Sequence, residues 1–292
     1  MKKIIYIAGD GRSGSTLLDS ILSNIENSIS VGECHRFWIR FYEGESLCSC
    51  GEEMIHCPLW SKVDEQLKQN FTDYDPIEFK KRVKEIQLFK NFSEIPNIVT
   101  SAKWSSFCQQ VKAFYTIIAA QSNKEIIVDS SKSVAWGYFL YHLSFVDIYF
   151  IHLERELPSV ANSWKKEMQL PEYTNKEVFM PTKSTALSTK LWLKIKVMAK
   201  KLKLTPHYLF VSYEKLCEHP EAQLQQIKLF LDEEFQTDAL QMLPTHAIGG
   251  NPMRAKGSAN IEIKAQKNRY NNLSKIEYFG LKAINNLAKS LI

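Results

Sequence analysis

The chain opens with a short apolar run, Ile4-Ile5-Tyr6-Ile7-Ala8, that feeds into Gly9-Asp10-Gly11-Arg12-Ser13-Gly14-Ser15-Thr16-Leu17-Leu18. A run of this length suits a buried strand, and the glycine-rich turn before Leu17 and Leu18 reads as the entry to a helix. A strand with apolar residues on both faces needs a layer above and a layer below it, which points to a parallel sheet in an α/β fold. A loop of this build turns backbone N–H groups inward and aims a helix N-terminus at an anion. Arg12 adds a full positive charge beside it.

Gly9 and Gly14 have the spacing of the phosphate-binding pattern G-x-x-x-x-G-K-[ST], but Ser15 stands where the lysine belongs. The loop therefore suits a phosphate-like group held by something other than ATPase or GTPase chemistry. Three more β-rich runs follow, at 126–128, 148–153 and 208–213. They end in Asp129-Ser130-Ser131-Lys132, Glu154-Arg155-Glu156 and Tyr213-Glu214-Lys215. In parallel sheets ligands bind beyond the carboxyl ends of the strands, so all four polar ends are expected on one rim. The fold class expected is a P-loop NTPase-like three-layer α/β fold, a central parallel sheet flanked by helices, in a single domain over residues 1–292.

Helices are predicted over 15–24, from Asp75-Pro76 to about 90, over 103–121, from Pro158 through Ser163 and Trp164, and over 185–203, 220–231 and 274–291. In 185–203 the pattern puts Leu187, Leu191, Ile195, Met198 and Leu202 inward and leaves Lys190, Lys194, Lys196, Lys200, Lys201 and Lys203 on a solvated face. The stretch 40–75 is the least regular, and 243–272 reads as a loop. A net charge of +5 suits an anionic small ligand and is too weak to argue for nucleic acid. The N-terminal apolar run is shorter than a secretory core of about 7–15 residues, and no run approaches the ~20 residues of a membrane span. A cytoplasmic protein with reduced cysteines is the expectation. The charge and composition leave the oligomeric state open.

Arg12-Ser13-Gly14-Ser15-Thr16 resembles the 5′-phosphosulfate loop of sulfotransferases that use 3′-phosphoadenylyl sulfate (PAPS), in the form found in the carbohydrate and tyrosylprotein branches. Arg155 and Ser163, eight residues apart after the 148–153 run, resemble the pair that holds the donor's 3′-phosphate in that family. Tyr213-Glu214 before the Pro220 helix resembles the segment whose tyrosine packs near the adenine. The segment 246–257, with Arg254, Lys256 and Gly257, resembles the family's C-terminal basic loop over the 3′-phosphate. The resemblance covers nearly the whole chain and is least transferable over 35–125 and 170–200.

It implies a PAPS-dependent sulfotransferase that moves a sulfuryl group to an acceptor hydroxyl of a carbohydrate, glycolipid or small metabolite. Arg12 and the backbone of 13–16 would hold the phosphosulfate. Glu33 in Ser30-Val31-Gly32-Glu33 resembles the base-bearing stretch of tyrosylprotein sulfotransferases, and His35 is the alternative base. Lys132 is the candidate cation for transition-state charge. The competing readings are a P-loop small-molecule kinase and a non-catalytic nucleotide-binding relative. No metal is expected for the reaction. Cys48, Cys50 and Cys57, with Cys34 nearby, allow free thiols, a disulfide or thiolate-bound zinc, although C-x-C is tighter than the usual C-x₂₋₄-C of structural zinc. His56 and His142 are expected to be structural.

Overall fold

Alternate residues of the first strand, β1 (Lys3–Gly9), face opposite layers. Ile4, Tyr6 and Ala8 join one core with Phe37, Trp38, Phe114, Trp136 and Phe139. Ile5 and Ile7 join a second core with Leu17, Leu18, Ile21, Leu224 and Ile227. A strand whose two faces feed two separate cores is the middle layer of three, which is why its sequence shows no polar alternation. The computed structural model describes the whole chain except residues 45, 171–172, 174–176, 236–239, 244, 250–259, 265–269 and 290–292.

The sheet has five strands, adding β2 (Ser28–Gly32), β3 (Ile126–Lys132), β4 (Asp147–Glu154) and β5 (Tyr208–Ser212) in the order β2-β3-β1-β4-β5. Every pairing is parallel. Ala8 lies beside Lys132, Gly9 beside Leu153, Gly32 beside Asp129 and Glu154 beside Ser212. All carboxyl ends thus share one rim, as the four polar run ends predicted.

The strand β2 was not among the runs expected. Its residues Ser28, Ile29, Ser30, Val31 and Gly32 lack a hydrophobic run, yet all five are buried. Ser28 satisfies its hydroxyl on the Ile25 carbonyl, and Ser30 donates to Asp19 Oδ2 at 2.6 Å. Serine can line a core when its hydroxyl is paired within it.

The first helices are α1 (Ser15–Leu22), α2 (Phe37–Tyr42), α3 (Trp60–Asn70), α4 (Pro76–Gln87), α5 (Ile95–Thr100) and α6 (Ser105–Ser122). They are followed by α7 (Val134–His142), α8 (Leu157–Lys165), α9 (Thr185–Leu202), α10 (Tyr213–Glu218), α11 (Pro220–Leu231) and α12 (Lys275–Lys289). Two expectations need correcting. The irregular stretch 40–75 contains α3, whose Trp60, Val63 and Leu67 are buried. The inward face of α9 is rotated from the expected one: Leu187 is exposed, while Trp192 and Lys196 are buried. Lys196 accepts burial because it pairs with Glu154 Oε2 at 2.6 Å, and Trp192 Nε1 donates to the Arg155 carbonyl at 3.0 Å. The helix is thus tied to the polar end of β4, a tertiary demand that periodicity could not register.

Candidate active site

The loop between β1 and α1 is built around Gly14, whose φ of +96° lies in the left-handed region. A Cβ there would come within 2.3 Å of the Tyr213 ring, so both the turn and the packing require glycine. No side chain caps α1, and no acidic residue sits in its first turn. Its N-terminal N–H groups are therefore not satisfied by a side-chain cap. At Gly11 the Trp164 ring of α8 presses on the loop, 2.5 Å from where a Cβ would lie.

Arg12 has a φ of +70° and Lys132 a φ of +67°. The other non-glycine residues with positive φ among those described are Asn27, Asn123, Ser144 and Asp232, short polar types suited to turns and caps. An arginine and a lysine held in this region signal a geometry imposed by the surrounding structure. Arg12 lies 5.0 Å from the Trp164 ring centroid, with Nη1 at 2.7 Å from Met168 Sδ. Its Nε and Nη2 are buried and have no hydrogen-bond partner among the described residues, and the same is true of Ser13 Oγ.

Arg155 converges on the same loop from the end of β4. Its Nη1 donates to the Arg12 carbonyl at 3.1 Å, and its guanidinium sits 4.4 Å from the Tyr213 ring centroid. Tyr213, at the end of β5, therefore fills the space between Gly14 and Arg155. Ser163 is in the last turn of α8, next to Trp164. Ser15 is buried and Thr16 half-buried at the start of α1. Arg254, Lys256 and Gly257 lie outside the described residues. The segment that leads to them is positioned: Ile248 N donates to the Val31 carbonyl at 3.0 Å, and Glu33 N donates to the Ile248 carbonyl at 2.8 Å.

Glu33, His35 and Lys132 meet in one cleft of about 310 Å³ that also exposes Gly9 and Gly11 of the loop. Lys132 Nζ lies 2.5 Å from Glu33 Oε1, and Arg36 Nη1 lies 3.3 Å from Glu33 Oε2. Burial pushes the Glu33 carboxyl up, but Lys132, Arg36 and His35 more than offset it and hold it at about 2. Burial lowers His35 to about 3, against the pull of Glu33, so the imidazole is neutral, with Nδ1 buried and unpartnered among the described residues. Burial raises Asp10 to about 6, with Lys183 acting in the opposite direction. The rest of the cleft is lined by Gln87, Ser131, Ser133, Val134, Ala135, Ile195 and Met198, a mixed polar and apolar wall.

Sequence reading missed Asp10, Arg36, Trp164 and Gln87 as members of the site. Asp10 could have been found from its place inside the loop. Trp164 adjoins Ser163, which the resemblance had placed at the rim, whereas Gln87 had no local signal, because only packing brings α4 there.

A central parallel sheet flanked by helices, with the glycine-rich loop of its first strand on the carboxyl rim, defines the class of fold as three-layer α/β. The sulfotransferase family profile matches residues 5–237, and the chain belongs to that family. Its fold is that of the sulfotransferase domain from the Synechococcus PCC 7002 olefin synthase, at 17% identity and a TM-score of 0.50, with 99% of this chain and 94% of that one covered. The sulfotransferase domain from the curacin biosynthetic pathway is similar too, at 16% identity and a TM-score of 0.51, with 97% of each chain covered. No curated protein sequence matches significantly.

Proposed function

We propose that the protein transfers a sulfuryl group from PAPS to an acceptor hydroxyl. The observation that carries this is the pair of guanidiniums on one uncapped loop, with Arg12 Nε and Nη2 and Ser13 Oγ buried and unpartnered among the described residues. Buried donors without partners are costly, and a multiply charged anion would satisfy several at once. Arg12, the N–H groups of 13–16 and the hydroxyls of Ser15 and Thr16 would grip the phosphosulfate. Arg155, Ser163 and, from outside the described residues, Arg254, Lys256 and Gly257 would hold the 3′-phosphate, with Tyr213 supporting the adenosine side. The donor supplies an activated sulfuryl group, and the chain positions it and stabilises the charge that grows on the leaving oxygen.

Glu33 is the proposed base. Its depressed pKa reflects its neighbours, chiefly Lys132 after burial. When a donor anion draws the Lys132 ammonium away, the proton affinity of Glu33 rises toward that of a useful base. His35 gains less, because its depression comes mainly from burial, which a ligand does not relieve. Lys132 then faces the transferring group. The cleft beside Glu33 would take the acceptor, with Gln87 and Arg36 as polar contacts and Val134, Ile195 and Met198 as an apolar wall. This mixture fits a sugar-type or small hydroxylated molecule.

Titration calorimetry with adenosine 3′,5′-bisphosphate and with ATP–Mg²⁺ tests the donor class. Binding of the bisphosphate, with at least about 10-fold weaker ATP binding, is expected, and Arg12→Ala should weaken the bisphosphate at least about 10-fold by removing a buried charge-assisted contact. Glu33→Gln should leave bisphosphate affinity nearly unchanged while lowering transfer of ³⁵S-labelled sulfate by about 10²–10⁴-fold. Preference for ATP would overturn the reading, and full transfer by Glu33→Gln would remove that residue as the base.

A further inference from the structure

Cys48, Cys50, Cys57 and His246 each offer one ligand atom, and these atoms all lie within 4.8 Å of one another. The cysteines are free thiols. Cys57 Sγ is 3.5 Å from Cys48 Sγ and 3.8 Å from Cys50 Sγ. His246 Nδ1 is 3.2 Å from Cys57 Sγ and 3.9 Å from Cys48 Sγ. A tetrahedral zinc ion with ordinary Zn–S and Zn–N bond lengths has S···S edges of about 3.8 Å and S···N edges of about 3.6 Å. The four measured separations scatter around those edges.

The cluster is assembled by its backbone. Cys48 and Cys50 sit on one tight turn, where Cys48 N donates to the Glu52 carbonyl at 2.8 Å and Gly51 N to the Cys48 carbonyl at 2.9 Å. Cys57 lies just ahead of α3, its carbonyl accepting from Ser61 N at 3.0 Å. His246 arrives from the other end of the chain. Ser49 Oγ donates to the Thr245 carbonyl at 2.7 Å and accepts from Ala247 N at 2.8 Å, and Trp60 Nε1 donates to the His246 carbonyl at 2.7 Å. The residues on either side of the imidazole are thus clamped by groups that are not ligands. Cys34, the fourth thiol suggested by the sequence, is engaged elsewhere: its Sγ donates to Asp129 Oδ2 at 3.1 Å.

We propose that Cys48, Cys50, Cys57 and His246 form a structural zinc site of the Cys₃His type. Three thiolates and an imidazole in tetrahedral array select zinc, and four protein ligands leave no open position for catalysis. Of the three states the cysteine spacing left open, the proposal takes the metal-bound one, with His246 in place of Cys34, and it adds no metal to the reaction itself. Its consequence is positional. Residues 245–248 lead from the cluster along β2 to the backbone hydrogen bond with Glu33, so the ion ties the cysteine turn to the strand segment beside the cleft. The proposal does not depend on the transfer reaction.

Metal analysis of the full chain, purified without chelators under reducing conditions, should find about one zinc per chain. Cys48→Ser, Cys57→Ser and His246→Ala should each lose the ion, and Cys108→Ser should keep it. Cobalt(II) exchanged into the unmutated protein should give the intense visible bands of a tetrahedral ion together with sulfur-to-cobalt charge transfer, a readout that survives even if the variants fail to fold. Removing the zinc should lower the melting temperature, and adding it back should restore it. A reduced protein that neither contains zinc nor takes it up on titration overturns the proposal. So does a disulfide between any two of the three cysteines in the native protein, or an octahedral cobalt spectrum.

Discussion

Asp10 sits inside the loop between β1 and α1 as a buried carboxylate whose Oδ2 has no hydrogen-bond partner among the described residues. Its folded pKa of about 6 lies above the ordinary 3.8, so the folded state favours the protonated form. The stability this group contributes is complete below pH 3.8 and is lost as pH rises through about 6. Asp10→Asn keeps the shape and removes the charge. It should raise stability at pH 7.5 by roughly 2–3 kcal/mol, with the gain shrinking on acidification and vanishing near pH 4. Urea denaturation at the two pH values measures this, and a gain that does not change with pH would show that buried charge is not the cause. Glu33 has the opposite sign: its pairing stabilises the fold above pH 4.5 and is lost only as pH falls toward 2. Of these two carboxyls the resemblance singled out Glu33; the place of Asp10 inside the loop was legible, but its burial, which sets its titration, belongs to the folded chain.

Gly14 shows how one element sets the site. Helix α1 begins immediately after it, and β5 delivers Tyr213 against its bare Cα. Gly14→Ala must strain the left-handed backbone and also push the aromatic ring, which in turn supports Arg155. The expected cost is about 2–4 kcal/mol in folding stability, with bisphosphate affinity reduced at least about 10-fold. Denaturation and calorimetry on the same preparation test both parts, and an unperturbed affinity would separate the loop from its aromatic support. Four strands and seven helices were readable because each carries a continuous apolar run, a 3.6-residue period or a capping proline. β2 was not, since its serines are buried through hydrogen bonds. The inward face of α9 was misplaced because Lys196 is buried against Glu154 and Trp192 against the end of β4.

Across the whole molecule, the last helix supports the first loop. Asn285 of α12 is buried, and its Oδ1 accepts from Leu157 N at 3.0 Å, which caps the start of α8 from a distant part of the chain. Leu281 and Ala288 join Val160, Trp164 and Trp192 in a third core cluster. Helix α8 in turn holds Trp164 against Gly11. Asn285→Ala should lower stability by about 1–2 kcal/mol, the cost of a lost cap on a buried N–H, and should weaken bisphosphate binding without touching a ligand contact. A full-strength affinity in the destabilised variant would mean that α8 does not transmit the change to the loop. Among the described residues no helix is long and apolar enough to cross a membrane.

Local chemistry sufficed for the strand–loop–helix at the N-terminus, the parallel sheet, the anion-type loop from Arg12 to Thr16 and the placing of Lys132 at a polar strand end, because each depends on residue type and short-range spacing, which a linear chain displays. Arg155, Tyr213 and Glu33 were nominated by resemblance to sulfotransferase motifs, since taken singly each reads as an ordinary surface or packing residue. The tertiary structure alone put Lys132 on Glu33, Arg155 on the Arg12 carbonyl and His246 among three cysteines nearly two hundred residues away. These contacts join segments whose separation in sequence carries no periodic or compositional trace. The first two arise when the sheet order brings the carboxyl ends of the strands to one rim, and the third when residues 245–248 run beside β2 and the cysteine turn.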